Sequence, residues 1–131
     1  MTGLPRKRCQ KMETGNMKYF LSEKERKASH STCYHEFFKG RWDENAMVYW
    51  DSESLNIHDD LMIALGLDRL IQGIVEEYNP YGETEVNACQ WKRICAEAEK
   101  LGGSLFEAVS ELSPWAEENF RQNSVFTILG I

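Results

Sequence analysis

Hydrophobic positions along the chain switch between helical and strand-like spacing. Trp91, Ile94, Cys95, Ala98 and Leu101 recur three or four residues apart, the spacing of one face of an α-helix. This predicts a helix capped near Asn87 and stopped by Gly102 and Gly103, because glycine is the usual residue just past a helix end. Leu105, Ala108, Val109 and Leu112 repeat the pattern behind Ser104 as cap. Pro114, after Ser113 as N-cap, then marks the first turn of a last helix that carries Trp115 and Phe120 to about Asn123. Residues 57–78 place Leu61, Leu65, Leu70, Ile71, Ile74 and Val75 on apolar stripes interrupted by Gly66 and Gly73, which reads as two helices or one broken helix. Ser22 with Glu25 forms a capping-box pattern. The helix it starts is expected to run into Phe37 and Phe38 and to stop near Gly40.

Strand signals fill the gaps. Residues 17–21 read as a short strand, and residues 46–50 (Ala, Met, Val, Tyr, Trp) fit either a buried strand or the start of a helix. Asn79, Pro80, Tyr81 and Gly82 form a turn signal. After it, residues 83–86 alternate acid with β-branched residues, as a short edge-like strand does. Residues 125–131 are apolar almost throughout, so the last strand is expected between other strands. The pattern as a whole predicts an α+β fold, four or five helices packed on a small, mainly antiparallel sheet that includes the C-terminal strand.

Length and composition make this one domain. A chain of 131 residues with 42% hydrophobic and 11% aromatic residues has material for one core and is far from the composition of a disordered chain. The net charge is −6 and unevenly spread, because Arg6, Lys7, Arg8 and Lys11 crowd the first sixteen residues against Glu13 alone. Removing these from the 15 basic and 21 acidic residues leaves 11 against 20, a charge of −9 for residues 17–131. Residues 1–16 therefore read as a flexible basic leader, with Met17 looking like a fresh start, and residues 17–131 as a single acidic domain. An acidic surface repels phosphate backbones and anionic lipid and attracts basic partners. That argues against nucleic acid and membrane as direct ligands; the blander account is that acidity only keeps the protein soluble.

Nothing in the residue pattern spells out a reaction. Cys9, Cys33, Cys89 and Cys95 match no CxxC pair or disulfide scaffold. Cys89 and Cys95 sit about 240° apart around one helix, too divergent to share a metal. With no secretory signal and no apolar run near the roughly 18 residues a span needs, the chain reads as cytoplasmic with reduced thiols. His30, Cys33, His35 and Glu36 are good ligand types, but on a helix His35 points about 200° from Cys33. A catalytic pair of Cys33 with His35 or His58 is the alternative enzymatic reading. No glycine-rich phosphate loop, GxSxG or HExxH is present. The expectation is a protein with no catalytic residue, metal or cofactor.

What stands out is a mixture of aromatics and acids outside the helical stripes, with Trp42, Asp43, Glu44 and Trp50 among them. Aromatic anchors ringed by carboxylates are a common composition for a protein-binding surface. The competing reading puts Trp42 and Trp50 in the core and uses Tyr78 and Tyr81 to pack a loop. The pool from which partner contacts are expected is Asp51, Glu53, Asp59, Asp60, Glu76, Glu77, Tyr78, Tyr81, Glu83 and Glu85.

Residues 81–86 (Tyr, Gly, Glu, Thr, Glu, Val), then Trp91 and Ile94, then Ser113, Pro114 and Trp115, and the terminal FTILGI carry a likeness. Over roughly residues 45–131 the chain resembles small cytosolic proteins that accompany bacterial polymorphic toxins, including contact-dependent growth inhibition systems, as their immunity proteins. The resemblance implies a stoichiometric inhibitor that covers a toxin domain, commonly a nuclease or another basic enzyme. Acidity would then be mechanism, carboxylates taking the surface that nucleic acid uses. It carries over a general role and no individual contact residue. A self-associating structural module, its apolar strands pairing between subunits, is a third expectation.

Overall fold

The computed structural model describes residues 17–131; the stretch read as a basic leader lies outside the described residues. The elements are β1 (Leu21–Ser22), α1 (Glu23–Ala28), β2 (Tyr34–Lys39), β3 (Leu55–His58), α2 (Asp59–Leu65), α3 (Leu67–Ile74), β4 (Glu83–Asn87), α4 (Ala88–Leu101), α5 (Gly103–Gln122) and β5 (Val125–Leu129). All neighbouring strands pair antiparallel, in the order β1-β3-β2-β5-β4. This is an α+β fold, and the C-terminal strand lies inside its sheet, between β2 and β4.

Register decides which side chains meet the helices. Phe37 stands opposite Ile128 and Leu55, and Phe126 opposite Val86, so these residues share a face, since partners across a ladder do. Trp115 of α5 and Trp91 of α4 meet Phe126 edge-on at 5.4 and 5.8 Å between ring centres. Ile94, Ala98, Val109, Leu112 and Ala116 complete that core from the helices. The opposite face carries Glu36, Asn56, Thr127 and Leu129, all buried. It is covered by the long connection from Gly40 to Ser54.

Local signals hold where hydrogen bonds are local. Ser22 and Glu25 close the expected capping box, and Asn87, the expected cap of α4, closes a second one with Gln90. Gly66, in the left-handed region at φ 80°, ends α2 and lets α3 start at once, a conformation a Cβ penalises. Gly102 ends α4, and residues 79–82 turn as expected, the Gly82 amide donating to the Asn79 carbonyl.

Four expectations are corrected. The helix from Ser22 stops at Ala28 instead of reaching Phe37. The Ser29 hydroxyl and amide both donate to the Arg26 carbonyl, His30 turns left-handed at φ 60°, and the Ser31 hydroxyl accepts the Cys33 amide. A run of short hydroxyl side chains thus competes for the backbone, and residues 34–39 become a strand. Residues 17–21 shrink to the two-residue β1 because the amides of Lys18, Tyr19 and Phe20 all donate to the Glu111 carboxylate on α5. Residues 46–50 are neither strand nor helix but a loop, with Met47 and Trp50 at φ 53° and 61°. Ser113 and Pro114 do not open a new helix: α5 runs through Pro114 unbroken, carried by a buried stripe from Ala108 to Asn119 on both sides of it. Strand β3, inside what reads as helical sequence at Ile57, is an addition.

Candidate protein-docking site

Glu36 organises the site from below. It is 2% exposed at the middle of β2, where an unpaired carboxylate would be expensive. One of its oxygens accepts the Trp50 amide at 2.8 Å, and the other accepts the Asp51 amide at 2.8 Å and the Ser54 hydroxyl at 2.7 Å. The descending limb of the loop is thereby tied to the sheet. Trp50, left-handed at that point, lies under the Arg26 guanidinium at 3.9 Å. Arg26 is itself held by a two-pronged bond to Glu23 at 2.8 Å. At the other end, the Thr127 hydroxyl donates to the Gly40 carbonyl and Asn119 accepts the Gly40 amide, each at 2.8 Å.

The loop so anchored displays its apolar residues outward. Trp42 stacks obliquely on Tyr49 at 5.2 Å, and its indole N–H donates to the Val48 carbonyl at 2.6 Å. Met47, Val48 and Tyr49 are 65%, 42% and 52% exposed. The Asn79–Gly82 turn brings Tyr81, 77% exposed, to the same place. Trp42, Met47, Tyr49 and Tyr81, with Glu44, Glu83 and Leu129, border a shallow hollow of about 500 Å³. The turn is fixed because the Gly130 amide donates to the Gly82 carbonyl and the Ile131 amide to the Pro80 carbonyl. Gly130 has no room for a side chain, since a Cβ there would meet the Pro80 carbonyl. Glu83 and Glu85 stand exposed on edge strand β4, Arg41 reaches Glu85 at 3.4 Å, and Glu77 joins Glu83 and Glu85 along an adjoining shallow depression.

The expected contact pool is therefore split. Tyr81 and Glu83 border the aromatic hollow, Glu85 and Glu77 line the adjoining depression with Glu83, and Glu76 is exposed beside Glu77. Asp51 and Glu53 lie at the foot of the loop, where Glu53 approaches Lys39 at 3.7 Å. Asp59 and Asp60 sit in the first turn of α2, Asp59 bonded to His35 at 2.7 Å. Tyr78 is 7% exposed and belongs to the core, not to the surface. Burial, with Asp68 and Asp59 nearby, pushes its phenol up to about 12. Trp42 and Trp50 are half-buried under the loop and not in the core cluster. Met47 and Tyr49 escaped the sequence pool because their apolar run has the look of a strand; the turn formers crowding both of its ends were the available signal.

The chemical candidates diverge. On β2, His35 faces the helices and Glu36 the loop, as adjacent strand residues must, while Cys33 and His30 are exposed ahead of the strand. His35 is engaged by Asp59, and His58 accepts the Asp60 amide as N-cap of α2. Burial and the Glu117 carboxylate push the Cys95 thiol up to about 11, the opposite of activation. Among the described residues no three His, Cys, Asp or Glu side chains are grouped to hold a metal ion, and no helix is long and apolar enough to cross a membrane. Comparison with protein-family models, curated proteins and solved structures finds no match to this chain.

Proposed function

We propose that the chain is a non-enzymatic, protein-binding inhibitor of the immunity type. In this reading it captures a basic partner domain on the surface made by the 41–54 loop, the Tyr81 turn and the β4 edge. The observation that carries the reading is the cluster of exposed Met47, Tyr49 and Tyr81 around half-buried Trp42, on a loop tied down by a buried glutamate and the turn beside it. Tyrosine and tryptophan dominate binding energy at protein interfaces, and a preordered loop loses little entropy on docking. Asp43, Glu44, Glu83 and Glu85 around it supply steering toward a cationic partner. The alternation of exposed acids along β4 also disfavours strand addition at that edge, so the partner is met by side chains.

The first experiment is co-purification of the tagged chain from its native cell extract at low and high salt, with mass spectrometry of what is retained. A basic, toxin-like domain released by salt is the expected result. Against that partner, Tyr49→Ala and Tyr81→Ala should each weaken binding by about 2 kcal/mol, roughly thirtyfold, with an unchanged unfolding midpoint. An affinity indifferent to both substitutions, or no partner at either salt, overturns the proposal.

A further inference from the structure

The helical side of the molecule carries a second surface of the opposite charge. Between the α2–α3 corner and the α4–α5 corner runs an open groove of about 1230 Å³. Its floor is the outer edge of the core, Leu61, Leu65, Ile74 and Leu105, with Leu101, 61% exposed, on one side. Ala64, Gly66, Gly73 and Ala96 keep it low, and beyond its own stretch of helix backbone nothing lies within 4 Å of where a Gly73 Cβ would stand. Lys18, Arg69, Arg93 and Lys100 line it against a single carboxylate, Glu97, on a chain of net charge −6. Lys18 and Lys100 have weak partners at 3.7 Å in Glu107 and Glu97. Among the described residues no carboxylate lies within ion-pair distance of Arg69 or Arg93.

We infer that this groove docks an acidic amphipathic helix of a partner protein, its apolar face on the leucine floor and its carboxylates against Arg69, Arg93, Lys100 and Lys18. A trough with an apolar floor and charged rims is what helix-in-groove recognition uses, and the sign of the rims selects an acidic helix. Residues 1–16, with Arg6, Lys7, Arg8 and Lys11 against Glu13, carry the wrong sign of charge for these rims. A free fatty acid would remain largely wet in a groove open along its length, whereas small-molecule sites bury most of the ligand. The inference is independent of the acidic docking surface and stands or falls without it.

The test is fluorescence anisotropy of a labelled helical peptide of about 18 residues, with leucines at i, i+3, i+4 and i+7 and glutamates flanking them, titrated with the full chain. The same peptide with lysine for glutamate is the control. The acidic peptide should bind, and more weakly as salt rises from about 50 to about 300 mM. Arg69→Glu with Arg93→Glu should weaken binding at least tenfold. Ala96→Trp, which fills the groove from an exposed helix position, should do so too. Both variants should keep the wild-type circular dichroism, and Tyr49→Ala with Tyr81→Ala should leave this binding unchanged. The inference is overturned if the acidic peptide fails to bind at about 100 μM chain, if the lysine peptide binds equally, or if the groove variants are indifferent. Self-association in sedimentation that the arginine reversals abolish would give the groove to a second copy and overturn it as well.

Discussion

Glu36 shows how one residue can hold a surface in place. Its carboxylate collects two amides and a hydroxyl in a site closed to water, and charge-assisted bonds of this kind are about twice as strong as neutral ones. Glu36→Gln removes the charge and turns an N–H₂ toward a backbone amide of Trp50 or Asp51, which can only donate. The expected cost is about 2 kcal/mol in urea unfolding, with faster amide hydrogen exchange at Trp50 and Asp51 than anywhere in α4. Tyr78 is the reverse case, since its buried hydroxyl has no hydrogen-bond partner. Its phenol, raised from 10.0 to about 12, must stay protonated in the fold. That contribution is complete below pH 10 and is lost as pH climbs from there to about 12. Tyr78→Phe should match or exceed wild-type stability at pH 7, by up to about 1 kcal/mol, and should lose less between pH 10 and 12. A variant clearly less stable at pH 7 contradicts this account of the hydroxyl.

At the scale of elements, α5 is a twenty-residue helix with a proline inside it. Proline there forfeits one backbone hydrogen bond and crowds the preceding turn. The helix continues because Leu112, Trp115, Ala116 and Asn119 are all buried against the sheet, so breaking it would expose more than the proline costs. Asn119 adds to this by bonding the Gly40 amide and the Val125 carbonyl, one at each end of the covering structures. Pro114 is exposed, so Pro114→Ala should leave packing alone and raise stability by about 1–3 kcal/mol, read from the thermal midpoint. No change would mean that the turn around residue 114 has already relaxed its strain.

Over the whole molecule, the sheet has two covers of different kinds. Helices α4 and α5 close one face with aromatic and aliphatic side chains, while a loop pinned by hydrogen bonds closes the other. The loop has fewer apolar contacts, so it spends its own aromatics on the surface. The net charge of −6 conceals an acidic side around β4 and a basic groove on the helical side. Glu83→Lys with Glu85→Lys should slow capture of the proposed basic partner about tenfold at low salt and flatten the salt dependence of its association rate. Stopped-flow measurement at two ionic strengths checks this; an unaltered slope would assign the steering to other carboxylates.

Read from residues alone, the chain declared its local grammar. The capping box at Ser22, the cap at Asn87, the break at Gly66, the turn at residues 79–82, alternating β4, the stripe of α4 and the apolar β5 were all legible, because each depends on neighbours within a few positions. Strand β2 was not, since Tyr34, His35, Glu36 and Phe37 are buried on both faces and so carry no period of two for a reader to find. The same holds for the burial of Tyr78 and the continuity of α5, which rest on distant packing. The candidate docking surface was half legible: Tyr81, Glu83 and Glu85 belong to it, but Met47 and Tyr49 join them only because Glu36 and Thr127 draw the loop across the sheet. Composition determined that aromatics and acids exceed what the helical stripes use. Which of them share a surface is a long-range matter, decided by strand order and by one buried carboxylate.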